Sequence, residues 1–420
     1  MAAMSENRPV ARKKAVRVGL EVLLDAGSDV VRGRRIGLIT NHTGVTRELV
    51  HGIDVLRRQG ECRLEALLGP EHGVRGDAAA GQTVDNQVDP ETGLPVFSLY
   101  GAQRRPTPEM LKGLDTLVFD LQDIGARYYT YMATLGLALD AAGEAGIDFV
   151  VLDRPNPLGG VTMDGNVLDP AFASFVGPYP VPVRHGLTAG ELARLYQGEF
   201  GAGRGCHLTV VPMDGWRRSM WYDQTGWPWV PPTPNSTSLE MAALYPGTCL
   251  IEGTNASEGR GTTKPFECLG APWVDAARLA GDLTDKGLPG VFFRPAHFTP
   301  TVSKHAGQLC HGVQVHLVDR EALRAVRLGL ELVESLRRLF PNDFGWREAR
   351  REDHAAGKEA GGKAGGALPD GAARRPFDLL AGTDRWRLEM EGGRGPADIE
   401  ADWQAELAAF DSRRRPYLLY

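Results

Sequence analysis

The alternation of short apolar runs with amphipathic stretches between residues 17 and 156 constrains the fold of this chain more than any other feature. The apolar runs read RIGLIT, LEALL, LPVFSLY, DTLVFDL and FVVLD, and helical stretches such as LGLALDAAGEAG separate several of them. Strands that alternate with helices indicate a mainly parallel sheet with helices packed on its faces. We therefore predict an α/β fold for this part of the chain.

The rest of the chain predicts a second, smaller α+β domain. It contains the apolar runs VFFRPAHFTP and GVQVHLVD and a helical pattern from about Glu321 to Phe340. Trp403, Leu407 and Phe410 share one helical face, which we expect to dock onto this second domain. Earlier in the chain, Thr188 and Glu191 have the spacing of a capping box at the start of a helix.

A chain of 420 residues exceeds the usual limit of a single hydrophobic core, so we divide it into two domains. We predict a flexible tail over residues 1–15, the larger α/β domain over 16–235 and the smaller α+β domain over 236–420. A stretch of low complexity at 357–371, GKEAGGKAGGALPDG, predicts a mobile surface insertion.

Composition excludes several classes of function. A formal net charge of -6 provides no surface for a polyanion, so we expect no nucleic-acid partner. The N-terminal basic residues precede no apolar run long enough for a signal peptide, and no later run is long enough to span a bilayer. We therefore expect a cytoplasmic protein without a membrane partner.

The 5 cysteines are scattered without CxxC spacing, which favours reduced thiols. The oligomeric state is left open.

Polar side chains follow four of the predicted strands at the point where each strand ends. These loops hold Asn41-His42, Glu71-His72, Asp123 and Arg154-Pro155-Asn156. Because parallel strands place their carboxyl ends on one edge of the sheet, we expect the four loops to form one cleft. Turns alone do not require ionisable groups such as those of Glu71, His72 and Asp123.

A second polar segment runs from Pro234 to Phe266, where glycines alternate with Glu, Asn, Thr and Arg. This composition suits a loop that turns tightly and directs hydrogen-bonding side chains at a polar ligand. A phosphate-binding loop is the main competitor, but the patterns GxxxxGK[ST] and GxGxxG are both missing from the expected places. Between the two polar regions, Trp216, Trp221, Trp227 and Trp229 predict either a packed core or a platform for sugar rings, with core packing favoured.

Several long motifs, taken in order, resemble the NamZ-type exo-β-N-acetylmuramidases. The resemblance covers roughly Val16 to the C-terminus. It rests on NHTG, GPEHG, FDLQDIGARYYTY, LDRPNP, PNSTSLE, YPGTCLIEGTNASEGRGT and KPF. The order of so many long motifs is far more specific than any one of them.

This resemblance implies a Rossmann-like first domain, a smaller second domain and a site in the cleft between them. It also implies release of N-acetylmuramic acid (MurNAc) from the non-reducing end of a MurNAc-GlcNAc unit, in cell-wall turnover or recycling. The partner would be a peptidoglycan-derived disaccharide or oligosaccharide, without a cofactor. The missing secretion signal and the glycine-rich insertion depart from the family, and the first leaves the compartment open.

Cleavage of a glycoside generally needs two carboxyl groups, one as acid and one as nucleophile or base. We predict Glu71 as the acid because it lies in a Gly-Pro-Glu-His-Gly turn, where partial burial would raise its pKa. His72 either tunes this acid or satisfies the turn. The candidates for the second carboxylate are Asp123, Asp120, Glu252 and Glu258, and we favour Asp123. Asp120 is alternatively a buried partner of Arg127 or of a backbone amide.

The lactyl carboxylate of MurNAc calls for a guanidinium or ammonium group. The candidates are Arg127, Arg154, Arg260 and Lys264, of which Arg260 is best placed between its glycines. Asn41, His42, Asn156, Asn235 and Asn255 are candidates for binding hydroxyls or the acetamido group, and Tyr128, Tyr129 and Tyr131 for stacking on the ring. Loop stabilisation and packing remain the alternative role for each of them.

We predict no metal, because His42, His72, Asp123 and His185 lack the spacing of known metal motifs. Two other functions stay open at this point. One is a metal-assisted amidase that acts on muropeptides, and the other is a muropeptide-binding protein without catalysis.

Overall fold

Seven strands form the larger sheet of the protein, in a computed structural model that describes residues 15–25, 29–76, 87–101, 103–348 and 374–420. Its strands are β1 (Arg35–Thr40), β2 (Arg63–Gly69), β3 (Gln87–Val88), β4 (Pro95–Ser98), β5 (Thr116–Asp120), β6 (Asp148–Leu152) and β9 (Leu208–Val211). Their order across the sheet is β3-β4-β2-β1-β5-β6-β9. All neighbours pair in parallel except β3 and β4. The predicted mainly parallel sheet is confirmed.

The helices lie on both sides of this sheet and in the second half of the chain. They are α1 (Gly19–Asp25), α2 (Gly52–Gln59), α3 (Pro108–Leu111), α4 (Tyr131–Ala145), α5 (Ala189–Phe200), α6 (Leu239–Thr248), α7 (Ala276–Asp285), α8 (Ala325–Leu339), α9 (Pro376–Ala381), α10 (Arg385–Glu391) and α11 (Pro396–Arg414). All five residues of β5 are buried, as is expected of a strand covered on both faces. This explains why the strand segments are unbroken apolar runs rather than alternating ones.

A smaller antiparallel sheet organises the second half of the chain. Its strands β10 (Cys268–Ala271), β12 (Cys310–Leu317) and β11 (Val291–Phe298) lie in that order, and α7 packs against them. A separate hairpin of β7 (Asp164–Val167) and β8 (Pro182–Arg184) interrupts the first half. The predicted α+β unit is therefore present, whereas the hairpin was not foreseen.

The last helix docks more widely than the sequence suggested. The face of α11 with Trp403, Leu407 and Phe410 is buried, and the helix packs against both β7 and α8. It therefore joins the two halves of the chain instead of covering only the second. The predicted insertion at 357–371 and residues 1–14 of the predicted tail over 1–15 lie outside the described residues, while Ala15 is buried. The predicted boundary between residues 235 and 236 stays a prediction.

Aromatic side chains and cysteines mostly fill the interior. Trp216, Trp221 and Trp227 are buried, which confirms that the tryptophan cluster is core rather than an open platform. The 5 cysteines are free thiols. Within the described ranges, no helix is long and apolar enough to cross a membrane.

Asp153, directly after β6, is a buried junction between three parts of the chain. Its carboxylate accepts hydrogen bonds from the Thr188 hydroxyl at 2.7 Å, from the Gly190 amide at 2.8 Å and from the Tyr420 hydroxyl at 2.7 Å. Thr188 and Glu191 form the predicted capping box of α5. Burial nevertheless raises the pKa of Asp153 to about 6.

We expect Tyr420→Phe to destabilise the protein, and to do so more strongly above pH 6 than near pH 4. The tyrosine hydroxyl accepts from the Met213 amide and donates to Asp153, and losing such a buried partner costs about 1–3 kcal/mol. Because the folded pKa of Asp153 lies above its unfolded value, its protonated form contributes stability that disappears as the pH rises through about 6. Above that pH, Tyr420→Phe also removes a hydrogen-bond donor from the ionised Asp153 carboxylate, so the variant loses more stability there.

Thermal unfolding at a series of pH values measures this effect. Tyr417→Phe is the matched control, because the Tyr417 hydroxyl pairs with the exposed Glu199 at 2.9 Å. A destabilisation by Tyr420→Phe that did not change with pH would contradict the assigned role of Asp153.

Candidate active site

The carboxyl ends of β1, β2, β5 and β6 meet at one edge of the larger sheet. In the strand order, β2 lies next to β1 in one direction, whereas β5 and β6 follow β1 in the other direction. The order of the strands therefore reverses at β1. The crevice at such a switch point is where open α/β sheets bind ligands. Glu71 follows β2, Asp123 follows β5 and Arg154 follows β6, so these loops share one edge as predicted.

Hydrogen bonds tie the loops at this edge to each other. The Thr40 hydroxyl donates to the Asp120 carbonyl at 3.0 Å, and the Gln122 amide donates to the Thr43 hydroxyl at 3.1 Å. The Gln122 side chain also donates to the Pro155 carbonyl at 2.7 Å. The edge is therefore a connected polar framework that can hold catalytic groups in fixed positions.

Glu71 is partly exposed, and its carboxyl lies beside two hydroxyl groups. The Thr130 hydroxyl donates to Oε2 at 3.0 Å, and the Tyr100 hydroxyl lies close enough for the Glu71 charge to act on it. Burial, together with the Glu71 charge, raises the pKa of Tyr100, so the phenol keeps its proton. Hydroxyl groups donate to a carboxylate and accept from a carboxylic acid, so this arrangement serves both protonation states of Glu71. Next to it, His72 is buried and has a φ of 75°.

Asp123 is 5% exposed, and its two carboxylate oxygens differ in their surroundings. Oδ2 accepts from the Gly125 amide at 2.8 Å and lies 3.3 Å from Nε2 of His185. The Leu187 amide donates to Nδ1 of His185, so that nitrogen carries a lone pair, while the buried Nε2 has no hydrogen-bond partner within the described residues. Oδ1 is buried and has no hydrogen-bond partner among the residues that the structure describes.

The charges of Glu71 and Asp123 act on the same two phenols, those of Tyr129 and Tyr131. Burial raises the pKa of Tyr129, and the charges of Asp123 and Glu71 raise it further. Burial likewise raises the pKa of Tyr131, with contributions from the same two carboxylates. The two carboxyl groups therefore lie at the same edge of the sheet and influence the same buried pair of tyrosines.

Three of the proposed ligands are engaged in structural contacts instead. Asp120 and Arg154 form a buried ion pair, with Nε to Oδ1 at 2.5 Å and Nη2 to Oδ2 at 3.0 Å. The suggested pairing of Asp120 with Arg127 is therefore wrong. The Arg127 guanidinium donates to the carbonyls of Asn166, Val181, Leu380 and Ala381. All three side chains are buried and stabilise the walls of the site.

The asparagines proposed as sugar ligands also hydrogen-bond within the protein. Asn41 binds Thr43 and the Tyr131 hydroxyl, Asn156 binds the Leu158 amide and the Leu187 carbonyl, and Asn255 binds the Gly345 amide and the Asp343 carbonyl. The structure thus gives these three side chains the alternative role of holding loops together. Asn235 is partly exposed in the loop before α6.

The tyrosines proposed for stacking pack in the interior. Tyr129 and Tyr131 contact each other edge to face, with centroids 5.0 Å apart, and Tyr129 also contacts Tyr245. Tyr128 is buried and donates to the Pro246 carbonyl. None of the three offers an open ring face, so their role is packing beneath the site.

His42 is a neutral imidazole at the rim of the framework. Burial lowers its pKa, and its Nε2 lies 2.7 Å from the Pro231 carbonyl, which fixes the proton on that nitrogen. Its Nδ1 then carries a lone pair, and this atom has no hydrogen-bond partner within the described residues. His42 therefore keeps an acceptor, as its proposed contact with a sugar hydroxyl requires.

The second polar segment builds a buried network of charges. Glu258 lies 3.0 Å from the Lys304 ammonium and 3.2 Å from Nε of Arg260, whose Nη2 contacts Glu252 at 2.5 Å. Burial alone would raise the pKa of Glu258, but Lys304 and Arg260 outweigh it and hold this pKa below the usual value. Lys304 also donates to the Ile251 and Thr254 carbonyls. This network fixes the loop rather than leaving a free carboxylate.

We expect Lys304→Met to destabilise the protein by about 3–5 kcal/mol, because it leaves the buried Glu258 without its ammonium partner. The folded pKa of Glu258 lies below the unfolded value, so this stabilisation is present above pH 4.5 and is lost as the pH falls through the folded pKa. The difference between variant and wild type should therefore shrink in acid. Chemical denaturation at pH 7 and pH 4 measures it.

Lys264→Met is the control for that experiment, since the Lys264 side chain is 46% exposed and pairs with Glu267 at 3.0 Å. Pairs of this kind contribute little to stability. Equal destabilisation by the two variants would contradict the importance of the buried network.

Three residues at the site were missed by sequence reasoning, and His185 was considered only as a metal ligand. Tyr100 lies beside Glu71, Thr130 contacts Glu71, Lys304 contacts Glu258, and His185 lies next to Asp123. Tyr100 ends the run LPVFSLY and Thr130 lies within FDLQDIGARYYTY, so their positions after predicted strands were available as a signal. No motif marks Lys304, which reaches the site from the loop between β11 and β12. In the described part of the chain, no three His, Cys, Asp or Glu residues are grouped to hold a metal ion.

Known proteins of one family match both halves of this chain. The profile of the N-terminal domain of the exo-β-N-acetylmuramidase NamZ matches residues 36–240, and that of its C-terminal domain matches residues 243–420. The peptidoglycan β-N-acetylmuramidase NamZ of Bacillus subtilis is 45% identical over 419 residues, which cover 100% of this chain and 95% of that protein.

Two crystal structures of DUF1343 family proteins from Bacteroides fragilis have the same fold. One is 38% identical with a TM-score of 0.84, and the match covers 97% of this chain and 100% of that one. The other is 31% identical with a TM-score of 0.75, covering 96% and 99%. Both halves of the chain match in sequence and in structure over nearly their full length. This chain therefore belongs to the NamZ family of exo-β-N-acetylmuramidases.

Proposed function

We propose that this protein is a glycosidase that releases MurNAc from the non-reducing end of peptidoglycan fragments, in cell-wall turnover or recycling. The family membership and the similarity to the Bacillus subtilis enzyme support this substrate class. The acidic pair at the sheet edge supports the reaction type, because hydrolysis of a glycoside generally requires two carboxyl groups.

The observation that carries this proposal is the environment of the Asp123 carboxylate, that is, its charge partners and hydrogen bonds. Of the four carboxylates considered as partners of Glu71, the other three have their charges compensated by arginine or lysine side chains. Asp123 instead has no arginine or lysine partner in the described structure, and its Oδ1 is buried without a hydrogen-bond partner. A buried polar atom of this kind is costly, and it is tolerated where a substrate or a water molecule completes the hydrogen bonding.

In the proposed reaction, Glu71 donates its proton to the glycosidic oxygen as the bond from that oxygen to C1 of MurNAc breaks. Positive charge develops at C1, and the ionised Asp123 either attacks this carbon or removes a proton from the attacking water. The net result is addition of water across the bond, with MurNAc and the shortened glycan as products. His185 lies beside Asp123, with its Nε2 3.3 Å from Oδ2, and the Leu187 amide fixes the orientation of its ring.

A pair of chromogenic glycosides tests this assignment, one of MurNAc and one of N-acetylglucosamine. We expect hydrolysis of the MurNAc glycoside, unaffected by a metal chelator, and much slower hydrolysis of the other. Cleavage of a muropeptide amide bond that a chelator abolishes would instead identify an amidase. Binding of MurNAc without any turnover would identify a binding protein.

A further inference from the structure

Two guanidinium groups from different parts of the chain lie near enough to Tyr100 for their charges to lower its pKa. Arg260 comes from the second polar segment, and Arg104 from the loop between β4 and α3. Strand β4 is the parallel neighbour of β2, whose carboxyl end carries Glu71. The loop with Arg104 therefore borders the same edge of the sheet as the proposed acid.

Arg260 is already neutralised by protein carboxylates. Its Nη2 contacts Glu252 at 2.5 Å, and its Nε lies 3.2 Å from Glu258. A substrate carboxylate at this guanidinium would meet two negative charges that are already in place. Like charges at such short range repel each other strongly in a partly buried site. Our sequence-based choice of Arg260 for the lactyl group therefore conflicts with its surroundings.

Arg104 has the opposite environment. Its guanidinium carbon lies 4.7 Å above the centroid of the Phe175 ring, and the side chain is partly buried. It forms no hydrogen bond or ion pair with any residue that the structure describes, and its Nε is shielded from water. A cation stacked on a ring leaves the N–H groups at its edge free to bind an anion.

Phe175 also places Arg104 beside the proposed acid. The Tyr100 ring lies 6.4 Å from the same Phe175 ring, and the Glu71 carboxyl lies near the Tyr100 hydroxyl. Tyr100 and Phe175 pack against Ala133 and Leu137 of α4, which fixes both rings. In MurNAc the lactyl ether is attached to C3 of the same ring whose C1 is cleaved. A carboxylate on that ether and the scissile bond must therefore bind close together.

We propose that Arg104, rather than Arg260, binds the lactyl carboxylate of the terminal MurNAc and so selects this sugar over N-acetylglucosamine. This inference rests on the proposed function, because it identifies a substrate contact within that site. A planar guanidinium binds a carboxylate through two parallel hydrogen bonds, which a neutral lactamide cannot fully replace. Arg104 is thus a specificity-determining residue.

The test uses Arg104→Gln with two chromogenic glycosides, of MurNAc and of its neutral lactamide analogue. We expect kcat/KM on the MurNAc glycoside to fall about 10- to 100-fold, mainly through KM, as expected for the loss of charge-assisted hydrogen bonds. Activity on the lactamide should hardly change. Arg105→Gln is the matched control, because the neighbouring Arg105 is paired with Glu144 at 2.5 Å.

Calorimetric binding of free MurNAc separates this inference from the proposed function. If wild type binds MurNAc without hydrolysing any glycoside, the proposed function is wrong, while weaker binding by Arg104→Gln still supports the role of Arg104. Equal losses on both glycosides would show a merely structural role and overturn the inference. Unchanged kinetics and binding would overturn it too, as would a selective loss with Arg260→Gln alone.

Discussion

Replacing Glu71 by glutamine should lower kcat on a MurNAc glycoside by about 10²- to 10⁴-fold, with little change in KM. Glutamine keeps the shape of the side chain and its contact with the Thr130 hydroxyl, but it cannot donate a proton to the leaving oxygen. A positioned general acid contributes a factor of this size. Steady-state kinetics of purified variants measures the effect.

The control for this variant is Glu65→Gln, on the same strand β2. Glu65 is exposed and lies away from the carboxyl end of the strand. It should keep wild-type kinetics, and both variants should unfold at nearly the wild-type temperature. Retention of most activity by Glu71→Gln would move the acid role to another group in the cleft.

Replacing Arg154 by glutamine should destabilise the protein by about 3–5 kcal/mol, because it leaves the Asp120 carboxylate buried without its cation. The two side chains are 3% and 1% exposed, so water cannot replace the lost partner. The Val45 carbonyl would also lose its donor. Denaturant unfolding, followed by circular dichroism, measures this loss.

An exposed pair on the same sheet provides the comparison. Arg35 binds Asp115 at the opposite end of β1, at 2.8 Å, with its side chain 47% exposed. Arg35→Gln should shift the unfolding midpoint far less than Arg154→Gln, because solvent screens the exposed pair. Similar shifts for both variants would contradict the assignment of Asp120 and Arg154 as a structural pair.

The larger sheet could be predicted well because a short run of neighbouring apolar residues marks each of its main strands. A run such as RIGLIT must be buried on both faces, and β1 covers the same six residues. The helix that starts after Thr188 was predicted for the same reason, since its cap lies within one turn. The hairpin of β7 and β8 has short strands in a Pro- and Gly-rich passage, so no periodicity marked it. The docking of α11 on β7 depends on contacts between distant parts of the chain.

The site was predicted in outline but not in its pairings. The strand ends located the cleft and the position of Glu71, because topology alone brings these loops together. Which guanidinium meets which carboxylate depends on side-chain reach across the fold, and here Arg154, not Arg127, meets Asp120. For the same reason Lys304, some fifty residues from the segment it stabilises, left no signal in the sequence. The cytoplasmic location remains a prediction.

The most direct test of the account is the time course of products from an oligosaccharide with MurNAc at its non-reducing end. Each product is separated by liquid chromatography and identified by mass spectrometry. We expect free MurNAc as the first product, together with the glycan shortened by one sugar. Release of internal fragments or of N-acetylglucosamine first, or no turnover at all, would contradict it.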